Sequence, residues 1–119
     1  MDRTVVGLEE TIILSNKSRI LSSKSEQGEV KARIDTGAER SSVDSKLAAK
    51  LKLGPVVMTR LIKSQHGNSV RPIVHAHVKI AGKDREADFT IADRTHMKYK
   101  VLIGQDILKK GFLVDPMKK

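Results

Sequence analysis

Residues 30–43 read Val-Lys-Ala-Arg-Ile-Asp-Thr-Gly-Ala-Glu-Arg-Ser-Ser-Val, and the interpretation of the whole chain starts from them. The aliphatic residues Val30, Ala32 and Ile34 alternate with basic ones, which predicts a half-buried strand. Asp35 ends that strand, and Gly37 permits a tight turn with a close backbone approach. Asp-Thr-Gly is ordinary turn composition, but an acid on a sharp turn at the end of a rigid strand is also typical of a chemical site.

A second motif lies late in the chain, where residues 101–108 read Val-Leu-Ile-Gly-Gln-Asp-Ile-Leu. The continuous apolar run predicts a strand that is buried on both faces. Gly104 ends this run, and a short helix is expected over residues 105–110. Residues 112–114 predict a final strand, which Pro116 stops.

The remaining patterns are mainly those of strands. Residues 4–14 form a β-rich run that Gly7 and the two following glutamates interrupt, which predicts a bulge or bend within a strand or hairpin. Residues 19–23 and 85–92 predict further strands. Residues 56–64 and 69–80 predict a hairpin, with Pro72 typical of an edge strand. Together they predict a mainly β fold of about seven strands with one or two short helices.

One helix is expected soon after the central turn. Ser42 or Asp44 can cap its first free N–H groups, and Leu47, Ala48 and Leu51 follow at helical spacing. The dipeptide at residues 54–55, Gly-Pro, is expected to end the helix.

The two motifs together resemble those of the retropepsin-like aspartic peptidases. That family carries an Asp-Thr-Gly-Ala turn after an apolar strand and a later apolar-apolar-Gly segment before a short helix. The most similar branch is a prokaryotic family labelled ATP-dependent zinc protease, whose members share Ala-Arg-Ile-Asp-Thr-Gly-Ala and an ending like residues 101–116. The likeness covers nearly the whole chain. It implies a single domain over residues 1–119, folded as a closed acid-protease-like (retropepsin-like) β-barrel.

The resemblance also implies a mechanism and a set of site residues. An aspartic peptidase needs two facing carboxyls, and this chain has one Asp-Thr-Gly, so Asp35 is expected to meet its copy in a homodimer. Thr36 is expected to bond across the two-fold axis, and Gly37 to let the substrate backbone pass. Ala38 and the hairpin tip, the flap of the family, are the implied substrate-binding residues; the tip is Gln65, His66, Gly67 and Asn68.

The sequence departs from the retropepsin pattern at one position that matters for dimer formation. Retropepsins commonly place an arginine after the later glycine, where it pairs with an acid that follows the Asp-Thr-Gly-Ala turn. Here Glu39 follows the turn but Gln105 follows Gly104, so this ion pair cannot form. Either Arg40 takes its place or the dimer is weaker or differently arranged.

Other kinds of chemistry have weaker support. Ser41 and Ser42 lack a His-Asp pattern. His75 and His77 share a strand face but lack a third metal ligand at a suitable spacing, so no cofactor and no metal are expected. The family label keeps a zinc peptidase open as an alternative, and a non-catalytic dimeric module that binds acidic peptides or proteins is another. The other acids considered as partners of Asp35 are expected to be surface residues: Glu9, Glu10, Asp88 and Asp93.

Composition narrows the class of partner. The 119 residues carry 23 basic and 14 acidic side chains, and the net charge of +9 favours acidic partners. The basic residues are scattered and only 3% of residues are aromatic, which argues against a nucleic-acid function. The chain has no cysteine, no long apolar stretch for a membrane helix and no apolar leader, so a cytoplasmic protein is expected.

Overall fold

A computed structural model describes residues 2–16, 27–65 and 67–118 of the chain. In these residues it contains nine strands and two short helices. The strands are β1 (Thr4–Val6), β2 (Glu9–Asn16), β3 (Gln27–Ile34), β4 (Ser42–Asp44), β5 (Val56–Ser64), β6 (Gly67–Ile80), β7 (Lys83–Ala92), β8 (Val101–Ile103) and β9 (Phe112–Val114). The helices are α1 (Ser45–Lys50) and α2 (Gln105–Leu108).

Six strands close into a barrel. Their order is β2-β3-β8-β4-β7-β6, and pairing between β2 and β6 closes the ring. Closure leaves no free sheet edge within the ring, while β5 pairs with β6 outside it. The predicted class, a closed mainly β retropepsin-like barrel with short helices, is confirmed.

Side chains that alternate inward from the barrel strands form the core. The largest of the fully buried ones is Phe89, and most of the others are aliphatic: Ile12, Leu14, Ala32, Val43, Val74, Ala76, Val78, Ile80, Val101 and Ile103. At one end of the barrel, β1 and β9 pair in parallel. Val6 and Phe112 of this pair are buried, whereas Val5 and Leu113 are exposed.

The structure corrects several expected boundaries. The run at residues 4–14, expected as a bent strand or a hairpin, is two strands that do not pair with each other: β1 pairs with β9, and β2 pairs with β3 and β6. The three residues of β4 are too few to show an alternation, and they pair with both β7 and β8. Nine strands therefore replace the expected seven or so. The strand predicted at residues 19–23 lies outside the described residues.

The helices are shorter than expected. Asp44 is the N-cap of α1, and its carboxylate accepts hydrogen bonds from the backbone N–H groups of Lys46 and Leu47. The helix ends at Lys50, before the predicted stop, because Lys52 adopts a left-handed conformation with φ of 54°. The second helix ends at Leu108 rather than at residue 110.

Candidate active site

Asp35 lies directly after β3, on a turn at the surface of the barrel. Its backbone N–H donates to the carbonyl of Ile103 at 2.9 Å, which joins the end of β3 to β8. Its side-chain Oδ1 accepts from the backbone N–H of Gly37 at 2.9 Å, and its carbonyl accepts from the N–H of Ala38 at 3.2 Å. Asp35 is half-buried, and Thr36 and Gly37 are exposed. The carboxylate is therefore oriented by the backbone while remaining accessible.

The start of α2 braces this turn. The backbone N–H of Gln105 donates to the carbonyl of Ala38 at 2.8 Å, and its side-chain Nε2 donates to the carbonyl of Thr36 at 2.7 Å. A Cβ at Gly104 would lie 2.7 Å from the carbonyl oxygen of Arg40 and 2.8 Å from that of Ala38. Only glycine allows the two backbones to approach this closely. Gln105 thus contacts the turn through two hydrogen bonds rather than through an ion pair.

A buried serine completes the brace. The Ser41 side chain is fully buried, and its Oγ donates to Asp106 Oδ1 at 2.6 Å and accepts from the Gly104 N–H at 2.9 Å. The Ser41 backbone N–H donates to Asp106 Oδ2 at 3.1 Å. Sequence reasoning considered Ser41 only as a nucleophile and missed Asp106. The available signal was a polar residue after each of the two motifs, although 65 residues separate them.

Two arginines carry positive charge in this part of the molecule. Arg33 is an exposed residue of β3, two positions before Asp35, which follows the end of the strand. The Arg94 side chain donates to the carbonyl of Tyr99 and to Ser42 Oγ. Burial lowers the pKa of Arg94, while the negative charges of Asp44 and Asp35 oppose that shift and the charge of Arg33 adds to it. Arg94 still carries its charge near neutral pH, because guanidinium has a very high pKa.

The predicted flap is a hairpin formed by β5 and β6. Gly67 and Asn68 belong to β6, so the turn is narrower than the predicted four-residue tip. Gln65, Gly67 and Asn68 are exposed, and His66 lies outside the described residues. Pro72 pairs with Thr59 of β5, just beyond Ile73, where the pairing between β6 and β7 ends. This position fits the edge-strand expectation for Pro72.

The other candidate groups have local partners. His75 Nδ1 contacts Asp88 Oδ1, and His77 Nε2 lies 2.9 Å from Asp84 Oδ1. In the described part of the chain, no three side chains among His, Asp and Glu lie together in a way that could hold a metal ion.

Of the remaining carboxylates, Glu9 and Asp93 are exposed, as the sequence predicted, whereas the Glu10 side chain is only 14% exposed. Glu9 accepts a hydrogen bond from the Tyr99 hydroxyl, which lowers the pKa of Glu9. Glu10 accepts from the Gly7 N–H and pairs with Lys118. Hydrogen bonding to Thr95 lowers the pKa of Asp93.

An apolar hollow lies beside the Asp35 turn. Its volume is about 410 Å³, and it is lined by Thr36, Gln105, Leu108, Lys109, Phe112, Leu113 and Val114. Leu113 also forms part of the exposed face of the β1–β9 pair.

No helix in the described residues is both long enough and apolar enough to cross a bilayer.

Comparison with known proteins supports the observed fold and identifies a protein family whose profile matches the chain. The sequence profile of the RimB-like family, described as retropepsin-like aspartic endopeptidase RimB, matches residues 43–119. The match begins after the Asp35 turn. Among curated proteins, a probable alpha-L-glutamate ligase of Shewanella pealeana is 30% identical over an alignment 112 residues long, which covers 73% of this chain and 24% of that protein. The chain spans about a quarter of the length of the curated relatives it matches.

Solved structures share the architecture at low sequence identity. A Legionella pneumophila protein of unknown function is 18% identical with a TM-score of 0.61, covering 98% of this chain and 95% of its own. The inhibitor-bound EIAV protease is 18% identical with a TM-score of 0.63, covering 86% and 85%. The simian foamy virus protease is 19% identical with a TM-score of 0.57, covering 84% and 92%. At these identities the likeness shows the fold.

Proposed function

Because the chain belongs to the RimB-like family of retropepsin-like aspartic endopeptidases, we propose that it hydrolyses peptide bonds as a homodimer, with one Asp35 from each subunit. The observation that carries this proposal is the accessible Asp35 carboxylate, oriented by the Gly37 N–H on a turn braced by α2. The sequence holds one Asp-Thr-Gly turn, so the second carboxyl of a catalytic pair has to come from another copy.

The chemistry follows from two carboxyls that share one proton. The ionised carboxylate takes a proton from a water molecule, and the resulting hydroxide attacks the amide carbonyl. The protonated carboxyl donates a hydrogen bond to the carbonyl oxygen as negative charge develops there. Proton transfer to the amide nitrogen then releases the amine product. Activity requires that the pair holds one proton, so it is expected at mildly acid pH and lost when that proton dissociates.

The surface beside Asp35 supports the dimer. Thr36 is exposed next to the apolar hollow, and Val5 and Leu113 expose 41% and 48% of their surface on the outer face of the β1–β9 pair. A second copy that covers this surface would bury apolar area, which favours association. In the dimer, Thr36 bonds across the axis. Gly37 and Ala38 line the path of the substrate backbone, and the hairpin tip around residues 65–68 covers it.

The preferred substrate is an acidic peptide. The net charge of +9 attracts acidic chains, and the positive charge of Arg94 interacts with the negative charge of Asp35. The curated relatives are named as probable alpha-L-glutamate ligases, which makes α-linked glutamate peptides the first substrate to test. We place the reaction in the cytoplasm. The chain has no cysteine and so forms no disulfide, which is usual for cytoplasmic proteins.

The test is cleavage of an α-linked oligoglutamate peptide by the purified protein at mildly acid pH, with and without pepstatin. Asp35→Asn keeps the size of the side chain but removes the carboxyl, so cleavage is expected to fall by at least about 1,000-fold. Asp2→Asn changes an exposed carboxyl near the N-terminus and is expected to retain full activity. Cleavage that persists in Asp35→Asn would refute the proposed role.

The second candidate is a non-catalytic dimeric module that binds acidic peptides. It is favoured by one observation: the family match starts at residue 43 and leaves the Asp35 turn outside. Here the unaltered protein binds the oligoglutamate peptide without cleaving it, and Asp35→Asn binds it equally well.

A further inference from the structure

Two arginines face each other across the flap hairpin. Arg60 of β5 and Arg71 of β6 are directly opposite in the register, and both are half-buried. The irregularity in this pairing lies between Val56 and Met58, so the register at Arg60 is regular. Pairing of β6 with β7 begins at Ile73, so the arginine pair lies in the two-stranded part of the hairpin.

No acidic side chain in the described residues forms an ion pair with either arginine. Neither guanidinium has a hydrogen-bond or ion-pair partner among the residues that the structure describes. Like charges directly opposite on neighbouring strands destabilise the pairing. Guanidinium groups also bind carboxylates through paired N–H donors, so two of them side by side form a strong anion site. Repulsion between the two guanidinium groups therefore destabilises the hairpin locally, and an anionic ligand bound between them would remove that destabilisation.

The pair lies on the outer face of the barrel sheet. Opposite residues on paired strands share a face, and so do residues two apart on one strand. The row of opposite residues runs from Arg33 on β3 through Leu102, Ser42 and Thr90 to Ile73 on β6. Arg33 is exposed between two buried residues of β3, so this row is on the outer face. Arg71 is two residues before Ile73, so Arg71 and the opposite Arg60 project away from the barrel core, as Arg33 does.

We infer that Arg60 and Arg71 form an anion clamp, which binds carboxylates of an acidic peptide and thereby orders the flap over the site. This inference rests on the proposed function, because it takes the acidic peptide as the ligand. Carboxylates between the two guanidinium groups replace a repulsion by two attractions. The ligand thus supplies the counter-charge, and the flap becomes ordered only when an acidic chain is present.

The hairpin offers a matched control in Lys63. It lies three residues after Arg60 on β5, opposite Asn68 and on the other face of the hairpin. Arg60→Glu and Lys63→Glu change the net charge equally on the same strand. In Arg60→Glu the introduced carboxylate is placed opposite Arg71, where it removes the repulsion and competes with the ligand.

The experiment measures binding in Asp35→Asn protein, so that no cleavage intervenes. An α-linked oligoglutamate peptide and an oligoglutamine peptide of equal length are titrated at low salt. Arg60→Glu is expected to weaken oligoglutamate binding by about tenfold or more, and Lys63→Glu by about twofold or less. Amide hydrogen exchange of residues 58–72 is expected to slow on adding oligoglutamate, and to be slow already in free Arg60→Glu protein.

Equal losses in the two variants would overturn the inference, because they would show a general charge effect. Unchanged binding in Arg60→Glu, or in Arg71→Gln as a milder variant, would also overturn it. So would tighter binding of a single-stranded RNA oligonucleotide that depends on Arg60, since the ligand would then be a phosphate chain. Cleavage by the unaltered protein is a separate readout, so failure of the peptidase proposal and failure of the clamp are distinguishable.

Discussion

The Asp35 turn and the flap hairpin differ in how the rest of the molecule holds them. The turn is tied to α2 by two hydrogen bonds from Gln105 and rests on the buried contact between Ser41 and Asp106. Among the described residues, the part of the hairpin between Ile73 and the tip is paired within the hairpin alone. Its apolar side chains Leu61 and Val70 are 52% and 66% exposed. This difference suits the proposed function: the acid is held ready before the ligand arrives, whereas ordering of the flap depends on the ligand.

The largest expected effect on stability comes from a pair of glycine substitutions, one in the braced turn and one in the hairpin. Gly104→Ala pushes a Cβ against two backbone carbonyls, which cannot move away independently, and is expected to lower the free energy of unfolding by about 3 kcal/mol. In Gly67→Ala the added Cβ meets nothing within 4 Å, and the substitution is unfavourable only because the backbone φ is 109°. The free energy of unfolding is therefore expected to fall by about 1 kcal/mol. Urea denaturation of both variants checks the order. A larger loss for Gly67→Ala would contradict the account of the brace.

The next largest effect concerns the buried hydroxyl. Ser41→Ala removes one of the two hydrogen bonds to Asp106 Oδ1 and leaves the buried Gly104 N–H without its partner, so the unfolding free energy is expected to fall by about 2 kcal/mol. Ser42→Ala removes the adjacent, half-buried hydroxyl, whose contact with Arg94 is a long 3.4 Å, and should cost less than about 0.5 kcal/mol. Equal stabilities in thermal denaturation would show that the Ser41 contact does not brace the turn.

The smallest expected effect concerns the pKa of Glu9, an exposed residue of β2. The Tyr99 hydroxyl lowers the pKa of Glu9, so this contact stabilises the fold above the unfolded pKa of Glu9 and ceases to do so as pH falls through the lower folded value. Tyr99→Phe is expected to return the pKa of Glu9 towards that of an ordinary glutamate. NMR titration of the Glu9 carboxyl measures this directly. An unchanged titration curve would contradict the assigned cause.

Local patterns in the sequence predicted most of the fold. Alternation and turn residues located β3, β5, β6, β7, β8 and β9, and the cap at Asp44 placed the start of α1. The two glycine motifs pointed to the strand ends that the structure brings together. These features depend on neighbouring residues, which is why a single sequence carries them.

The rest depended on which distant residues become neighbours. Closure of the barrel requires β2 to pair with β6, and the Ser41–Asp106 contact joins residues 65 positions apart. The opposition of Arg60 and Arg71 follows from the hairpin register, which a shift of one residue would abolish. The roles of Asp35, Thr36, Gly37, Ala38 and residues 65–68 in catalysis or binding stay predictions.

The central claim is that two chains build one catalytic site, and subunit mixing tests it most directly. A fixed amount of active protein is incubated with increasing Asp35→Asn protein under conditions that allow exchange, and oligoglutamate cleavage is then measured. Each mixed dimer has one carboxyl of the pair, so activity should fall towards zero as the inactive subunit becomes abundant. Activity that stays constant at every ratio would mean that each chain works alone, and would contradict the shared site.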